Sequence, residues 1–189
     1  MKRSAVLALP ILLASILAGA GGGLARGADT PVETVKLGEV VAPVPSAWLA
    51  EQPSSSMRLA QFRIPAADTG DAELVVFYFG PGQGGTADAN IARWRSQFSG
   101  AGGAPVTPTV HAYSVAGMAV TEVELQGNYA RGVGVGPVGT AKADQTLLAA
   151  IVESPQGKLF VQLHGPTPTV TKQRDAFEHF VRDMRPATP

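Results

Sequence analysis

Cysteine is absent from all 189 residues. That excludes disulfides, thiolate metal sites, iron–sulfur ligation and thiol chemistry within the chain, as well as a lipid carried on an N-terminal cysteine. An excess of charge is absent too, since 15 basic side chains balance 15 acidic ones. A nucleic-acid-binding domain carries a basic surplus, so none is expected here. A long hydrophobic run is also missing. The longest, Ala5 to Ala18, is broken by Pro10 and Ser15 and falls short of the roughly 20 residues that span a bilayer. What is present is a hydrophobic fraction of 45%, which suits a folded chain rather than a disordered one. The length suits one domain, and a domain of this size buries about 70% of its unfolded surface without needing a staple.

The first residues read as an export signal. Lys2-Arg3 forms the positive start, Ala5 to Ala18 the apolar core, and Ala18-Gly19-Ala20 or Gly23-Leu24-Ala25 the small-residue cleavage pattern. We therefore expect a signal peptide over residues 1–27, a flexible mature N-terminus over 28–33, and a single α+β domain over 34–186. The protein is expected to be exported, to the periplasm or beyond the cell, with no membrane span in its mature form.

The central stretch runs from Ala72 to Ser99. Leu74-Val75-Val76-Phe77-Tyr78-Phe79 is a continuous run of β-branched and aromatic residues, as in a strand covered on both faces. Gly80 to Gly85 breaks it. Ile91, Trp94 and Phe98 then recur at helical spacing after an N-cap at Thr86 and an acidic first turn at Asp88. Upstream, Val35 to Val41 reads as one strand weakened by Gly38, and Met57 to Ile64 pairs with the central strand as a hairpin. Downstream, Val110 to Val115 and Met118 to Leu125 form a hairpin through Ala116-Gly117. Leu147 to Val152 and Leu159 to Leu163 form another through Ser154-Pro155-Gln156-Gly157. Gly127 to Lys142 reads as a long glycine-rich loop. The last element is a helix capped by Thr167 with Pro168 first inside, its apolar stripe made of Val170, Phe177, Phe180, Val181 and Met184. About six or seven antiparallel strands with a mid-chain and a C-terminal helix make an α+β layered sandwich.

That order of elements resembles the PsbP-like superfamily, the Mog/PsbP fold. Pro45-Ser46-Ala47-Trp48 follows the first strand, the mid-chain helix carries Trp94 and Phe98, and Phe160-Val161-Gln162-Leu163-His164-Gly165-Pro166 leads into the last helix. The resemblance covers Val32 to Arg185 and is greatest to exported bacterial members. Plant relatives bind photosystem II as extrinsic subunits, and a nuclear relative binds a small GTPase. The resemblance therefore implies a non-enzymatic binding or assembly role, and it carries no site residues over.

Several motifs suggest chemistry, and each has a plainer reading. Gly80-Pro81-Gly82-Gln83-Gly84-Gly85 matches G-x-G-x-x-G between a strand and a helix, where phosphate could approach free N–H groups. Pro81 removes one such donor, and the strand near Val110 to Val115 ends without an acid for a ribose. A sharp turn is the better reading, and no cofactor is expected. His111, His164 and His179 show no ligand spacing, so no metal is expected. Glu122 and Glu124 lie two apart on one strand face, as paired carboxylates or a solvated face. Ser54-Ser55-Ser56 lacks a nucleophile elbow. With no catalytic constellation, the chain is not expected to be an enzyme. Arg93 and Arg95 flank an inward Trp94 and are the candidate interaction surface. The leading expectation is an exported non-enzymatic binding protein of a protein or surface partner. The alternative is a small-ligand-binding or hydrolytic protein using a cleft beside the 127–142 segment.

Overall fold

Alternation along the strands creates two sheet faces, and the two are covered unequally. The structure, a computed structural model, describes residues 33–130 and 140–187. The expected signal peptide, residues 28–32 and the centre of the glycine-rich segment lie outside the described residues.

The described chain opens on a hairpin, β1 (Thr34–Leu37) and β2 (Val40–Pro43), where one strand was expected. Gly38 turns the chain at φ +71°, a conformation that costs glycine little. The Gln156 side chain clamps this turn, accepting from Glu39 N at 2.8 Å and donating to Leu37 O at 2.8 Å. β11 (Arg185–Pro186) adds to β2, completing a three-stranded sheet.

The main sheet is wholly antiparallel. Its strands are β3 (Leu49–Ala50), β4 (Arg58–Ile64), β5 (Ala72–Tyr78), β6 (Phe98–Ser99), β7 (Thr109–Val115), β8 (Met118–Tyr129), β9 (Lys142–Ser154) and β10 (Gly157–Pro166). They lie in the order β3-β4-β5-β10-β9-β8-β6, with β7 also paired to β8. The expected hairpins β4–β5, β7–β8 and β9–β10 all form. The expected 127–142 loop is shorter than its glycine content suggested. β8 runs on to Tyr129 and β9 starts at Lys142, and the two pair from Val120↔Val152 to Tyr129↔Lys142 across a bulge after Gly127.

Register assigns side chains to faces. On the first face lie Leu74, Val76, Leu159, Val161, Leu163, Leu148, Ala150 and Val152, all buried. The C-terminal segment and the N-terminal hairpin cover them. That segment is two helices rather than one, α2 (Thr167–Lys172) and α3 (Arg174–Arg182). Gln173, at φ −100° and ψ 2°, separates them, and its Oε1 accepts from Trp48 Nε1 at 2.9 Å. Pro166, not Thr167, stands at the N-cap. The expected stripe is buried in full, and Phe180 meets Trp48 and Phe62 at ring distances of 5.4 and 6.3 Å.

On the second face lie Val123, Leu125, Leu147, Ala149, Ile151 and Phe160, packed with Trp94 and Phe98. Their cover is one short helix, α3's counterpart in the middle of the chain: α1 (Ala87–Arg95), preceded by the glycine turn. Trp94 is 2% exposed, so the expected docking of this helix holds.

Candidate functional site

α1 covers only the β8–β9–β10 side of the second face. Beyond it, over β4 and the far ends of β5 and β10, the alternate positions turn polar past Val75 and Phe77: Gln61, Arg63, Glu73, Gln162 and His164. A strand face that writes Glu, Gln and His where its other face writes Leu and Val is a face left to solvent or to a ligand.

The site is built from five strands: Arg58 lies on β4, Glu73 on β5, Tyr129 on β8, Lys142 on β9 and His164 on β10. His164 on β10 stands between Glu73 on β5 and Leu147 on β9 in the ladder. Its ring lies 4.1 Å from that of Tyr129, which in turn lies 5.1 Å from Phe98. A chain of rings thus connects the core beneath α1 to the open cleft. On the other wall, a register shift between Arg58 and Ala60 brings Arg58 opposite Phe77. Its guanidinium sits 5.4 Å from the Phe77 ring centre and donates to Gln61 Oε1 at 2.8 Å and Glu73 Oε1 at 3.1 Å. Two adjoining hollows of about 490 and 450 Å³ share Glu73, Lys142 and His164 as lining. Tyr129, Thr140 and Lys142, the described flanks of the glycine-rich segment, contribute to the second hollow.

The carboxylates of this cleft are occupied. Glu73 pairs with Arg58, Glu51 with Arg63 at 3.3 Å, and Asp71 with Arg63 at 3.0 Å. Gln61 Nε2 adds a bond to Glu51 Oε2 at 3.1 Å. The Ala66 N–H and then the Arg63 guanidinium hold the Asp71 carboxyl below its usual range, and the same contact raises Arg63. Lys142 is exposed and makes no ion pair among the described residues. The result is a rim of three carboxylates on two guanidiniums, with the Lys142 ammonium as a third cation, beside aromatic rings.

The motifs singled out in the sequence fall elsewhere, except for Ser54 and His164. The glycine turn is a packed structural element. Gln83 N donates to Gly80 O at 3.1 Å, and Asn90 Nδ2 donates to Gly84 O at 2.7 Å and Thr86 O at 2.8 Å. Thr86 Oγ1 caps α1 by accepting from Ala89 N at 3.2 Å, as expected. Any side chain at Gly84 would run into the Phe160 ring. Arg93 and Arg95 are exposed on α1, away from both hollows, with Arg93 Nη2 donating to Asn90 Oδ1 at 2.6 Å. Ser54 lines the second hollow, and its N–H donates to Gln61 Oε1 at 3.3 Å.

Glu122 and Glu124 are not freely solvated. Both are half-buried between β8 and α3. Tyr113 Oη donates to Glu122 at 2.7 Å, tying β7 to β8, and Arg174 Nη2 donates to Glu124 at 2.6 Å, fastening α3 to the sheet. Burial, then the Glu122 carboxylate, pushes the Tyr113 hydroxyl above its ordinary range. Arg174 was expected to face water but is half-buried for the same reason. Of the histidines, His111 is exposed, and His179 is exposed beside Asp183 at 3.7 Å. Only His164 reaches the cleft. Among the described residues no cluster of three or more His, Asp or Glu could hold a metal ion.

No family model matches this chain, and no curated protein matches it either. Solved structures do. The solution structure of cyanobacterial PsbP (CyanoP) from Synechocystis sp. PCC 6803 matches at 11% identity over 89% of this chain and all of its own (100%), with a TM-score of 0.52. LpqN, involved in cell envelope biogenesis of Mycobacterium tuberculosis, matches at 17% identity over 85% of this chain and 87% of its own, with a TM-score of 0.49. A protein of unknown function, PA94 from Pseudomonas aeruginosa, matches at 17% identity over 84% of this chain and 99% of its own, with a TM-score of 0.47. The chain has a PsbP-like fold. The expected α+β sandwich with its largely antiparallel sheet is the fold observed.

Proposed function

We propose that this is an exported, non-enzymatic binding protein that engages its partner through the cleft on the open half of the second sheet face. The observation that carries the reading is the unequal cover of the two faces. One side of the sheet is closed by two helices and a hairpin, while the other keeps a hollow lined by Arg58, Glu73, Tyr129, Lys142 and His164. The paired carboxylates support binding over catalysis. A general acid or base needs a carboxyl free to exchange its proton near neutral pH. Here Glu73, Glu51 and Asp71 are each ion-paired to an arginine, and the Ala66 N–H, then Arg63, hold the Asp71 carboxyl below its usual range. Matched pairs at a rim give specificity and orientation to a docking surface. Export rests on the N-terminal sequence, with its basic start and short apolar core.

A photo-crosslinking residue placed at Glu73 or Gln162 should capture the partner in the native envelope fraction, and the same residue at Arg95 on α1 should not. Capture through Arg95 alone would move the recognition surface to Arg93 and Arg95. Intact-mass analysis of native material should find a mature chain beginning between Gly21 and Asp29. A mass that retains Met1 to Ala20 would mean a retained anchor.

A second reading uses the same cleft for a small polar ligand, because carboxylates and His164 converge there within hollows of about 490 and 450 Å³, a size that small-ligand sites share. A ligand held at 100 times its dissociation constant stabilises by about 2.7 kcal/mol. A melting shift of that size with a small polar compound, with no protein captured at Glu73, would favour this reading.

A further inference from the structure

The two edges of the main sheet are finished differently. At one edge β3 is two residues long, and Glu51, Pro53 and Arg63 lie beside it. Short strands, prolines and charges are how folded proteins keep an edge from pairing. At the other edge β7 is seven residues long, Thr109-Val110-His111-Ala112-Tyr113-Ser114-Val115, with no Lys, Arg, Asp, Glu, Gly or Pro in it. Thr109, Val110, His111, Ala112 and Ser114 are exposed, Val110 at 45%.

The turn decides which backbone groups of β7 face outward. Ala116 and Gly117 both have positive φ, +48° and +81°, which is the two-residue I′ hairpin. The residues flanking such a turn, Val115 and Met118, form a hydrogen-bonded pair, and bonded and non-bonded pairs alternate from there. Val115, Tyr113 and His111 therefore spend their backbone groups on β8. Ser114, Ala112 and Val110 point theirs away from the sheet. Among the described residues no backbone bond outside the ladder uses residues 110–114. Pro108 and the Ala116-Gly117 turn bound the outward row.

We infer that β7 is a self-association edge, pairing antiparallel with β7 of a second copy about a two-fold axis at Ala112. The outward row is symmetric about that residue. Val110 meets Ser114 of the other copy, Ala112 meets its equivalent, and about six ladder hydrogen bonds form. The smallest side chain of the strand stands on the axis. The strand carries no Lys, Arg, Asp or Glu to repel its copy, and of the charged groups beside Tyr113 on the first face, Glu122, Glu178 and Arg182, Arg182 pairs with Glu178 at 3.7 Å. Side chains from one strand cover much less than the roughly 800 Å² per partner of a standard stable interface, so the dimer is weak and concentration-dependent. Closed two-fold pairing uses up the edge and stops at two copies.

The absence of cysteine from the described residues and from the whole chain makes the test clean. Ala112→Cys places one thiol per copy. Bonded antiparallel pairs hold their Cα atoms about 5.5 Å apart, within disulfide reach. Val110→Cys lies four residues from its own equivalent in this register, about 13 Å away, beyond the span a disulfide bridges. Under mild oxidation of the folded protein at high concentration, Ala112→Cys should crosslink at least ten times faster than Val110→Cys. In a separate, cysteine-free variant, Ala112→Pro should remain monomeric by sedimentation at concentrations where the parent shows a dimer. Its fold should be unchanged, because proline is accepted where the N–H faces outward from an edge. Equal crosslinking by the two cysteine variants, absence of crosslinking by both, or an undiminished dimer in a folded Ala112→Pro would overturn the inference.

Discussion

The two faces of the main sheet are made by the same strands, and they differ in how much chain is available to cover them. The first face receives α2, α3, the β1–β2 hairpin and Trp48, and its core runs unbroken from Leu37 to Met184. The second receives α1 and Phe98, enough for the β8–β9–β10 side and no more. The strands are written to match. Toward the first face β5 and β10 place Leu74, Val76, Leu159, Val161 and Leu163. Toward the second they place Phe77, Val75 and Phe160 nearer α1 and Glu73, Gln162 and His164 toward the cleft. The lesson is that polar residues at alternate strand positions mark the part of a sheet that the fold leaves uncovered, and the cleft lies there.

The comparison breaks most visibly where aromatic rings are removed. Phe180 is fully buried against Trp48 and Phe62 on the closed face. Phe180→Ala should cost about 3–5 kcal/mol, read by urea unfolding, out of a typical total of about 5–15 kcal/mol. Trp94→Ala falls in the same range by its chemistry. It should lie at the lower end, because a single nine-residue helix can settle into the space more easily than a two-helix cover. Arg93→Ala, beside it but exposed, should change stability by about 0.5 kcal/mol or less. Equal small losses for Trp94→Ala and Arg93→Ala would mean that α1 is not docked and would make Arg93 and Arg95 the leading contact surface.

The next effect sharpens the description of the glycine turn. Gly84 has φ +88°, and a Cβ there would lie 2.5 Å from the Phe160 ring. Backbone strain and overpacking act together, so Gly84→Ala should destabilise by about 1–3 kcal/mol. Gly82, at φ +68° with open space around it, should cost less on the same change. Equal costs would show that ring contact contributes nothing and that the turn is only a conformational hinge.

A smaller effect concerns the Tyr113–Glu122 bond between β7 and β8. Burial and Glu122 raise the Tyr113 hydroxyl, so the folded state binds that proton more tightly than the unfolded chain does. The sign follows by linkage. This contribution is fully present below the unfolded pKa of about 10 and is lost as pH rises through the higher folded value. Stability above pH of about 10 should therefore fall with a component that Tyr113→Phe removes. The same variant should cost about 1 kcal/mol at neutral pH through the lost bond to Glu122. An unchanged alkaline limb in Tyr113→Phe would show that the tyrosine titrates as an ordinary exposed phenol.

Much of the fold was legible because it rests on local signals. The three hairpins announce themselves by alternation around short turns, and α1 by Thr86, Ile91 and Trp94, whereas Phe98, expected on the helix, pairs with Tyr129 in β6 after the helix ends at Arg95. Other features depend on partners distant in sequence. The ends of β8 and β9 hold together by pairing with each other, so the polar residues Lys142 to Asp144 and the glycine at 127 hid strand beneath loop composition. The hairpin at Gly38 needs Gln156, far along the chain, to hold its turn. The break at Gln173 is likewise stabilised by Trp48. The cleft was the least legible. Glu73, Tyr129, Lys142 and His164 come from four strands and share no spacing motif. The available signal was the polar alternation in Gln162 and His164, which interrupts an otherwise apolar strand.

The smallest stability effect should accompany the largest functional one, at Lys142. Its side chain is exposed at the cleft rim and makes no ion pair among the described residues. Replacing it removes no core packing and leaves no buried group unsatisfied. Lys142→Gln should therefore change the unfolding free energy by about 0.5 kcal/mol or less, as surface substitutions do. With Arg58 and Arg63 it balances the rim carboxylates Glu51, Asp71 and Glu73, and it alone of the three cations has no ion pair among the described residues, so it should matter to association. Removing a rim charge changes the on-rate and its salt dependence. Capture through the crosslinker at Glu73 should become weaker in Lys142→Gln and lose part of its sensitivity to ionic strength. Lys142→Arg, which keeps the charge, should restore both. A drop in stability well beyond 0.5 kcal/mol would mean that Lys142 belongs to the structural frame of β8 and β9. Unchanged stability with unchanged capture would remove it from the recognition surface and leave the Arg58–Glu73 wall to carry the contact.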